Sequence, residues 1–586
     1  MRPTRPMIAL LTALLWLAGE NPGKAAPPVG GAATSASKVG SAPTLVAPSS
    51  TLKKPTPKPI VPLNYQVFAW NDLGMHCYDS DFSIFCLLPP FNTLQAQVIQ
   101  KGAKPKLATP LEVSVAFSAI ADPAQSLNST SFGKSNFWTH SQALFGAHPA
   151  DDTGLTGTRM PGLANRPQTM AFGDVRVWTA LGIPITNLDD QLRFNAYPMM
   201  RVGATRVKES TPATTVDAVV PVSSEMDCKS CHASGKVAAN EFHEQVLLMT
   251  LSGNSDVDLQ SRENILRLHD IRYNTRLWEN RPVLCASCHY SKALDLAGAG
   301  PNATQREHAF LSRVMHGRHG RALDNRLPTA DNGPIIADTG VQACYKCHPG
   351  NETNCLRSVM AGAGVGCQKC HGGMLAVAGQ YPLTGGRVRE PWTDLPKCQS
   401  CHTGDFVKNA GGALPRLEAF ASQDPSATPV AATSSRFAEN TGKLYRHSFG
   451  HGAVACAACH GSPHAEWPAT NPLANDNITP NQLQGHAGVV IECQTCHDSK
   501  LPLTMNGPHG LHNVNSPAWV KDHKSFVESK GIASCQACHG LTLDGTHLSV
   551  AQASRRFTIQ DRKSIAFAAG ARIGCAHCHK KPTLKR

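Results

Sequence analysis

The chain has 586 residues, 41% of them hydrophobic and only 6% aromatic, with 48 Gly and 42 Pro. That length excludes a single hydrophobic core, and the thin aromatic content implies that something other than side chains fills the interior. The formal charge of +13 raises a nucleic-acid partner, but no compact basic stripe with interleaved aromatics is present, and that class is excluded.

Residues 1–25 have the form of a signal peptide. Arg2 and Arg5 precede an apolar run from Met7 to Leu17, and Gly23-Lys24-Ala25 supplies small residues for cleavage. The run is shorter than the roughly 18 residues a spanning helix needs. No later segment is long and apolar enough to span a bilayer, so no transmembrane segment is expected in the mature chain. No cysteine near residue 20 would carry a lipid. Residues 26–63 are rich in Ala, Pro, Ser and Gly and read as a disordered linker, because too little apolar surface is available to offset ordering entropy. Export to the periplasm, the cell surface or the extracellular space is the expected localisation.

Residues 64–221 read as a β-rich domain, a β-sandwich of short strands. In Leu111–Ile120, Leu111, Val113, Val115 and Phe117 alternate with Glu112, Ser114, Ala116 and Ser118. The stretches 94–100, 174–181 and 191–202 read as strands too. His76, Cys77 and Cys86 fall here in HCYDSDFSIFC. The two cysteines are nine apart and the histidine precedes them. Zinc at these three would lack a fourth ligand. A Cys77–Cys86 disulfide is expected in an oxidising compartment.

From residue 222 to 586 one phrase dominates. Eighteen of the 21 cysteines form nine copies of C-x-x-C-H. The cysteine pairs are Cys228/Cys231, Cys285/Cys288, Cys344/Cys347, Cys367/Cys370, Cys398/Cys401, Cys456/Cys459, Cys493/Cys496, Cys535/Cys538 and Cys575/Cys578. Their histidines are His232, His289, His348, His371, His402, His460, His497, His539 and His579. Residues i and i+3 share a helix face, so both thiols reach the two vinyl groups of one porphyrin, and the next residue turns its imidazole onto the iron. Structural zinc would not need a histidine after every pair. A thioredoxin-like motif would occur once.

On these motifs the chain resembles the multihaem c-type cytochromes, exported bacterial electron-transfer proteins. The resemblance covers residues 228–579. It implies nine covalently attached haems c, with porphyrins as the core and short α-helices and irregular loops wrapped around them. It also implies electron transfer from a periplasmic donor to a terminal acceptor, inside or outside the cell. Redox proteins or other cytochromes, and copies of the chain itself through self-assembly, are the implied partners. Nine haems bring about 18 propionate charges, so many of the 55 Lys and Arg are expected to pair with propionates. First-cysteine spacings of 23 and 31 residues place the motifs at 344, 367 and 398 in one cluster, and residues 403–445 read as a hinge or surface insertion.

Each iron has a sixth position, and histidines beyond the motif are the candidates to fill it: His243, His269, His308, His316, His319, His447, His451, His464, His486, His509, His512, His523 and His547. The pairs His316/His319, His447/His451 and His509/His512 are each expected to yield at least one ligand. His243 and His269 fall in the expected helices NEFHEQVLLMTL and RENILRLHDIRYNTRLWE. His577, inside a motif, is not a candidate, and His76 is a lesser one. Bis-histidine, low-spin centres are therefore expected, and several high-spin haems would overturn that. The competing function is an oxidoreductase acting on a small nitrogen or sulfur compound at one haem with an open sixth position. No C-x-x-C-K variant of the motif occurs. Cys355 is left without a role.

Overall fold

The computed structural model describes residues 65–581, apart from 174, 240–250, 325–340, 382, 384–385, 403–434, 499–500 and 560–562. The expected signal peptide and linker, His243 and its expected helix, and most of the expected insertion lie outside the described residues. From Val61 onward the chain is one compact unit.

The β-rich region is built from β1 (Tyr65–Asn71), β2 (His76–Cys77), β3 (Phe85–Cys86), β4 (Asn92–Gln100), β5 (Lys106–Leu107), β6 (Val113–Ile120), β7 (Gln168–Thr169), β8 (Ala171–Phe172), β9 (Trp178–Ile183), β10 (Met199–Arg206), β11 (Pro212–Val219) and β12 (Val222–Ser223). One antiparallel sheet runs β1-β4-β9-β8, with β5 on β4. The other runs β11-β10-β6-β7. Helix α1 (Phe137–Phe145) packs Phe137, Trp138 and Leu144 into the shared core and stops at Gly146, whose φ of +66° only glycine adopts freely.

Alternation explains β6. Val113, Val115, Phe117 and Ala119 are buried while Ser114 is exposed, so this sheet keeps one face to solvent. Leu111, expected to continue that face, is 90% exposed, because the strand starts at Val113. In β1 and β4 the alternation disappears, since both faces are covered. Ala455, Ala457, Ala458, Trp467 and Leu483 from the motif region join the same core as Phe68, Leu94 and Val98. The stretch 191–202 is a strand only from Met199; Leu192 has φ +59° and is exposed.

The motif region is α-helical in short pieces. The longest described helix, α3 (Val257–Tyr273; α2 is Lys229–His232), begins at Asp256, whose carboxylate accepts the amides of Asp258 and Leu259, and ends at Asn274 in the left-handed conformation. That cap stops the expected helix before its last residues, 274–279.

Two buried ion pairs bolt the regions together. Arg262 of α3 meets Asp79 at 2.9 Å, and Asp79 also accepts the amides of Leu87 and Leu88. Arg357 grips Asp476 with two bonds of 2.7 and 2.9 Å and donates to the Gly74 carbonyl at 2.7 Å. Gly74 has φ +78°, and a Cβ there would collide with the Pro463 carbonyl. Removing one partner of a buried pair leaves an uncompensated charge. Arg262→Met and Asp476→Asn are each expected to lower the unfolding free energy by about 3–5 kcal/mol. Urea titration of the cofactor-loaded protein measures this, and a loss under about 1 kcal/mol contradicts it.

The expected Cys77–Cys86 disulfide is not formed in the structure, where both sulfurs, like those of Cys355 and the described motif cysteines, are unbonded. β2 pairs in parallel with β12 and β3 with β13 (Val283–Leu284), so the two cysteines are held in different two-stranded sheets. Cys77 lies in electrostatic reach of Cys355, Glu225, Cys347 and Asp79, and Cys86 in reach of Asp79 and Cys285. Alkylation of the denatured protein without reductant, read by mass spectrometry, should label Cys77, Cys86 and Cys355. Protection of Cys77 and Cys86 together restores the bridge.

Candidate cofactor sites

Every motif is one helical turn. The histidine amide donates to the carbonyl of the first cysteine four residues back, at 2.9 Å in Cys228–His232, 3.0 Å in Cys285–His289 and 2.8 Å in Cys493–His497. Where Gly follows the histidine, at Gly372, Gly461 and Gly540, its positive φ ends the turn at once.

The described histidines come together in twos. With sites numbered by motif order, His232 faces His319 with ring centres 6.3 Å apart (site 1), and His289 faces His308 at 5.5 Å (site 2). His348 faces His316 at 6.0 Å (site 3), His371 faces His464 at 6.0 Å (site 4), and His402 faces His547 at 6.4 Å (site 5). His460 faces His509 at 6.0 Å (site 6), His497 faces His451 at 6.1 Å (site 7), and His579 faces His523 at 5.9 Å (site 9). His539, of site 8, lies in electrostatic reach of His512 and His523. His523 is engaged at site 9, which leaves His512.

These separations match a definite geometry. Two metal–nitrogen bonds of about 2 Å in line, plus about 1.1 Å from each nitrogen to its ring centre, place the ring centres about 6 Å apart. A bare ion would need more ligands, and among the described residues no three of His, Cys, Asp and Glu converge on one point. Two axial imidazoles with a planar four-nitrogen group between them satisfy the arrangement, so the residues fit a haem.

The second ring nitrogens support the same reading. His289 Nδ1 meets Ala309 O at 2.8 Å, His316 meets Ser312 O at 2.7 Å and His319 meets Met315 O at 2.8 Å. His509 meets Arg436 O at 2.6 Å, His523 meets Trp519 O at 3.0 Å, His539 meets Ile573 O at 2.8 Å and His579 meets Lys580 O at 2.7 Å. A carbonyl at Nδ1 fixes the tautomer with Nε2 free to ligate. Burial pushes His232, His348, His402, His460 and His512 down to about 4 and His371 to about 3, with neighbouring imidazoles adding to the effect, so these rings are neutral at pH 7, as ligands must be.

The imidazoles of sites 3 to 7, with His319, His308 and His512, line one continuous cavity of about 2730 Å³. Its wall also carries Cys344, Cys347, Cys367, Cys370, Cys398, Cys456, Cys459, Cys493, Cys496 and Cys538.

Cys231 and Cys288 do not line the cavity, and each sits beside the serine that precedes it in its own motif. Cys231 Sγ lies 3.6 Å from Ser230 Oγ, and Cys288 Sγ accepts from Ser287 Oγ at 3.8 Å. Sites 1 and 2 reach the cavity wall through His319 and His308. At Cys231 and Cys288 attachment is therefore read from the motif spacing and not from the cavity. Cys228, Cys285, Cys535, Cys575 and Cys578 lie off the cavity wall as well.

Three candidates do not stand opposite a motif histidine, and a fourth, His243, lies outside the described residues. His269 bonds Thr275 Oγ1 at 2.9 Å and packs on Tyr273, beside site 2 rather than in it. His447 Nε2 accepts from Arg446 Nε at 3.3 Å. His486 has both nitrogens engaged, Nδ1 with Ala487 O at 2.8 Å and Nε2 with Glu492 at 3.2 Å. His76 has its Nε2 at 3.2 Å from Pro89 O and stacks on Phe91, and His577 packs on Phe567.

The expected insertion 403–445 is corrected over its described end. Glu439 accepts from Lys397 Nζ at 2.7 Å and from the Cys398 amide at 3.1 Å, and Phe437 packs between His402 and His509. Residues 435–445 are therefore part of sites 5 and 6. No spacing in the sequence marks Arg436, Phe437 or Glu439 as site residues.

No helix among the described residues is long and apolar enough to cross a membrane. Comparison with protein-family models, with curated proteins and with solved structures found no match.

Proposed function

We propose that the chain is an exported nine-haem c-type electron carrier, passing electrons among its sites between a periplasmic donor and a terminal acceptor, with redox proteins as its partners. One observation carries this: eight motif imidazoles each face a second imidazole 5.5 to 6.4 Å away, most of them around a single cavity. Bound haem supplies a one-electron carrier at each site. The motif cysteines would fasten it, the paired imidazoles would hold its iron, and the apolar wall would keep water out. A catalytic centre needs a motif imidazole with an open position opposite, and each paired site fills that position with a second histidine.

The chain's own elements set a route. His316 and His319 sit one turn apart on helix Leu311–Asp324 and serve sites 3 and 1, so those sites adjoin. The helical turns Val341–Cys344 and Cys367–His371 pack together, so sites 3 and 4 adjoin. His402 and His460 lie in electrostatic reach across sites 5 and 6. Thr546, next to His547, donates to the Cys538 carbonyl and joins sites 5 and 8, while the Cys575 amide donates to Leu543 and joins sites 8 and 9. The segments thus support a path from sites 1, 3 and 4 at one end to 5, 8 and 9 at the other.

Intact-mass measurement of the exported protein should give nine haem additions, with EPR showing low-spin ferric centres that do not react with CO or nitrite. Fewer than nine additions, or several reactive high-spin centres, overturns the proposal.

A further inference from the structure

We infer that Cys355 is a positioning residue for His464, and that its thiol sets site 4 at a higher reduction potential than its neighbours. The inference rests on the nine-haem reading. The cysteine belongs to no attachment motif, yet its Sγ lies 3.6 Å from His464 Nδ1. On the other side of the site, His464 faces His371 at 6.0 Å.

The contact is built, not incidental. The Arg357 amide donates to the His464 carbonyl at 2.8 Å, and Arg357 Nη1 donates to the Cys355 carbonyl at 3.1 Å. Arg357 is itself locked by Asp476. The clamp holds His464 at φ +65°, a left-handed conformation that a non-glycine residue keeps only when its surroundings enforce it.

The chemistry follows from the acceptor. At sites 1, 3, 6 and 9 the second histidine gives its Nδ1 proton to a backbone carbonyl at 2.6 to 3.0 Å. A carbonyl is a good acceptor and makes the imidazole a stronger donor to the metal, which favours the oxidised state. A thiol sulfur is a weak acceptor. His464 is therefore the poorer donor, and the oxidised state of site 4 loses that support. Arg389 adds to this from the other side. Its Nη1 donates to the His371 carbonyl at 2.7 Å, so a fixed positive charge sits beside the pair and favours the reduced state. Site 4, at the end of the route with sites 1 and 3, becomes the place where an electron rests.

The test compares Cys355→Ser and Cys355→Asp with the parent, all as nine-haem protein. Serine keeps the shape and accepts more strongly; aspartate accepts most strongly. A spectroelectrochemical titration should show one centre of the nine moving to lower potential, by at least tenfold in electron affinity for aspartate, which is 59 mV for a one-electron couple. The low-spin EPR signal of that same centre should shift, with the other eight unmoved. If Cys355→Asp does not accumulate, Cys355→Ser decides by the sign of its smaller shift. Nine unchanged midpoints and unchanged EPR signals overturn the role of Cys355 and leave the nine-haem reading intact. A parent protein with no haem overturns that reading first.

Discussion

Produced without covalent haem attachment, the chain is expected not to hold this fold. The walls around sites 3 to 7 enclose about 2730 Å³. Left without a filling group, walls of that extent lose the packing contacts a core depends on. On the proposed reading the haems would fill that space, and the helical turns of the motif region have too few apolar neighbours to stand without them. Expression in cells lacking the attachment machinery should give a chain with no cooperative urea transition that is cut readily between residues 224 and 581. A sharp transition with the denaturant slope of the exported protein contradicts this. Such a result would also count against the nine-haem proposal.

Removal of one paired imidazole should change one centre and no other. His509→Ala takes away the ring opposite His460 and opens that axial position. One of nine centres is expected to turn high-spin and to bind CO, seen as a new ferric EPR signal near the high-spin position and a CO difference spectrum of one-ninth amplitude. His447→Ala and His486→Ala are the controls. Their rings are engaged by Arg446 and by Ala487 and Glu492, so all nine centres should stay low-spin. A high-spin signal in either control, or none in His509→Ala, breaks the pairing read from the structure. The sequence spacing treated all four histidines of the pairs 447/451 and 509/512 alike, so this experiment separates what the fold adds.

Parts of the fold were legible because they are local. The alternation in β6 follows from one covered face, and the strand is there from Val113 to Ile120. Strands β1 and β4 do not alternate, because the motif region covers the face that an isolated sheet would leave wet. That covering comes from Ala455, Ala457 and Trp467, nearly 400 residues away in sequence, and no window of sequence contains it. The disulfide expectation failed for a similar reason. Nine residues of spacing permit a bridge, but β2 and β3 are each recruited by a different distant strand, and no bond joins the two sulfurs. His486 looked like a ligand because it precedes a motif, while the Glu492 carboxylate that occupies its ring nitrogen has no signature as a site residue.

The sequence by itself determined the motif and its count, because C-x-x-C-H is complete within one helical turn. Two thiols at i and i+3 and an imidazole at i+4 need nothing beyond the hydrogen bond that closes that turn, and the closing bond recurs along the chain. Tertiary structure alone decided which second histidine meets each motif. His402 and His547 are 145 residues apart (547 − 402), and His451 and His497 are 46 apart (497 − 451), yet both pairs close to about the same separation. Such contacts are set by how buried segments pack around a shared interior, and sequence distance carries no record of that packing.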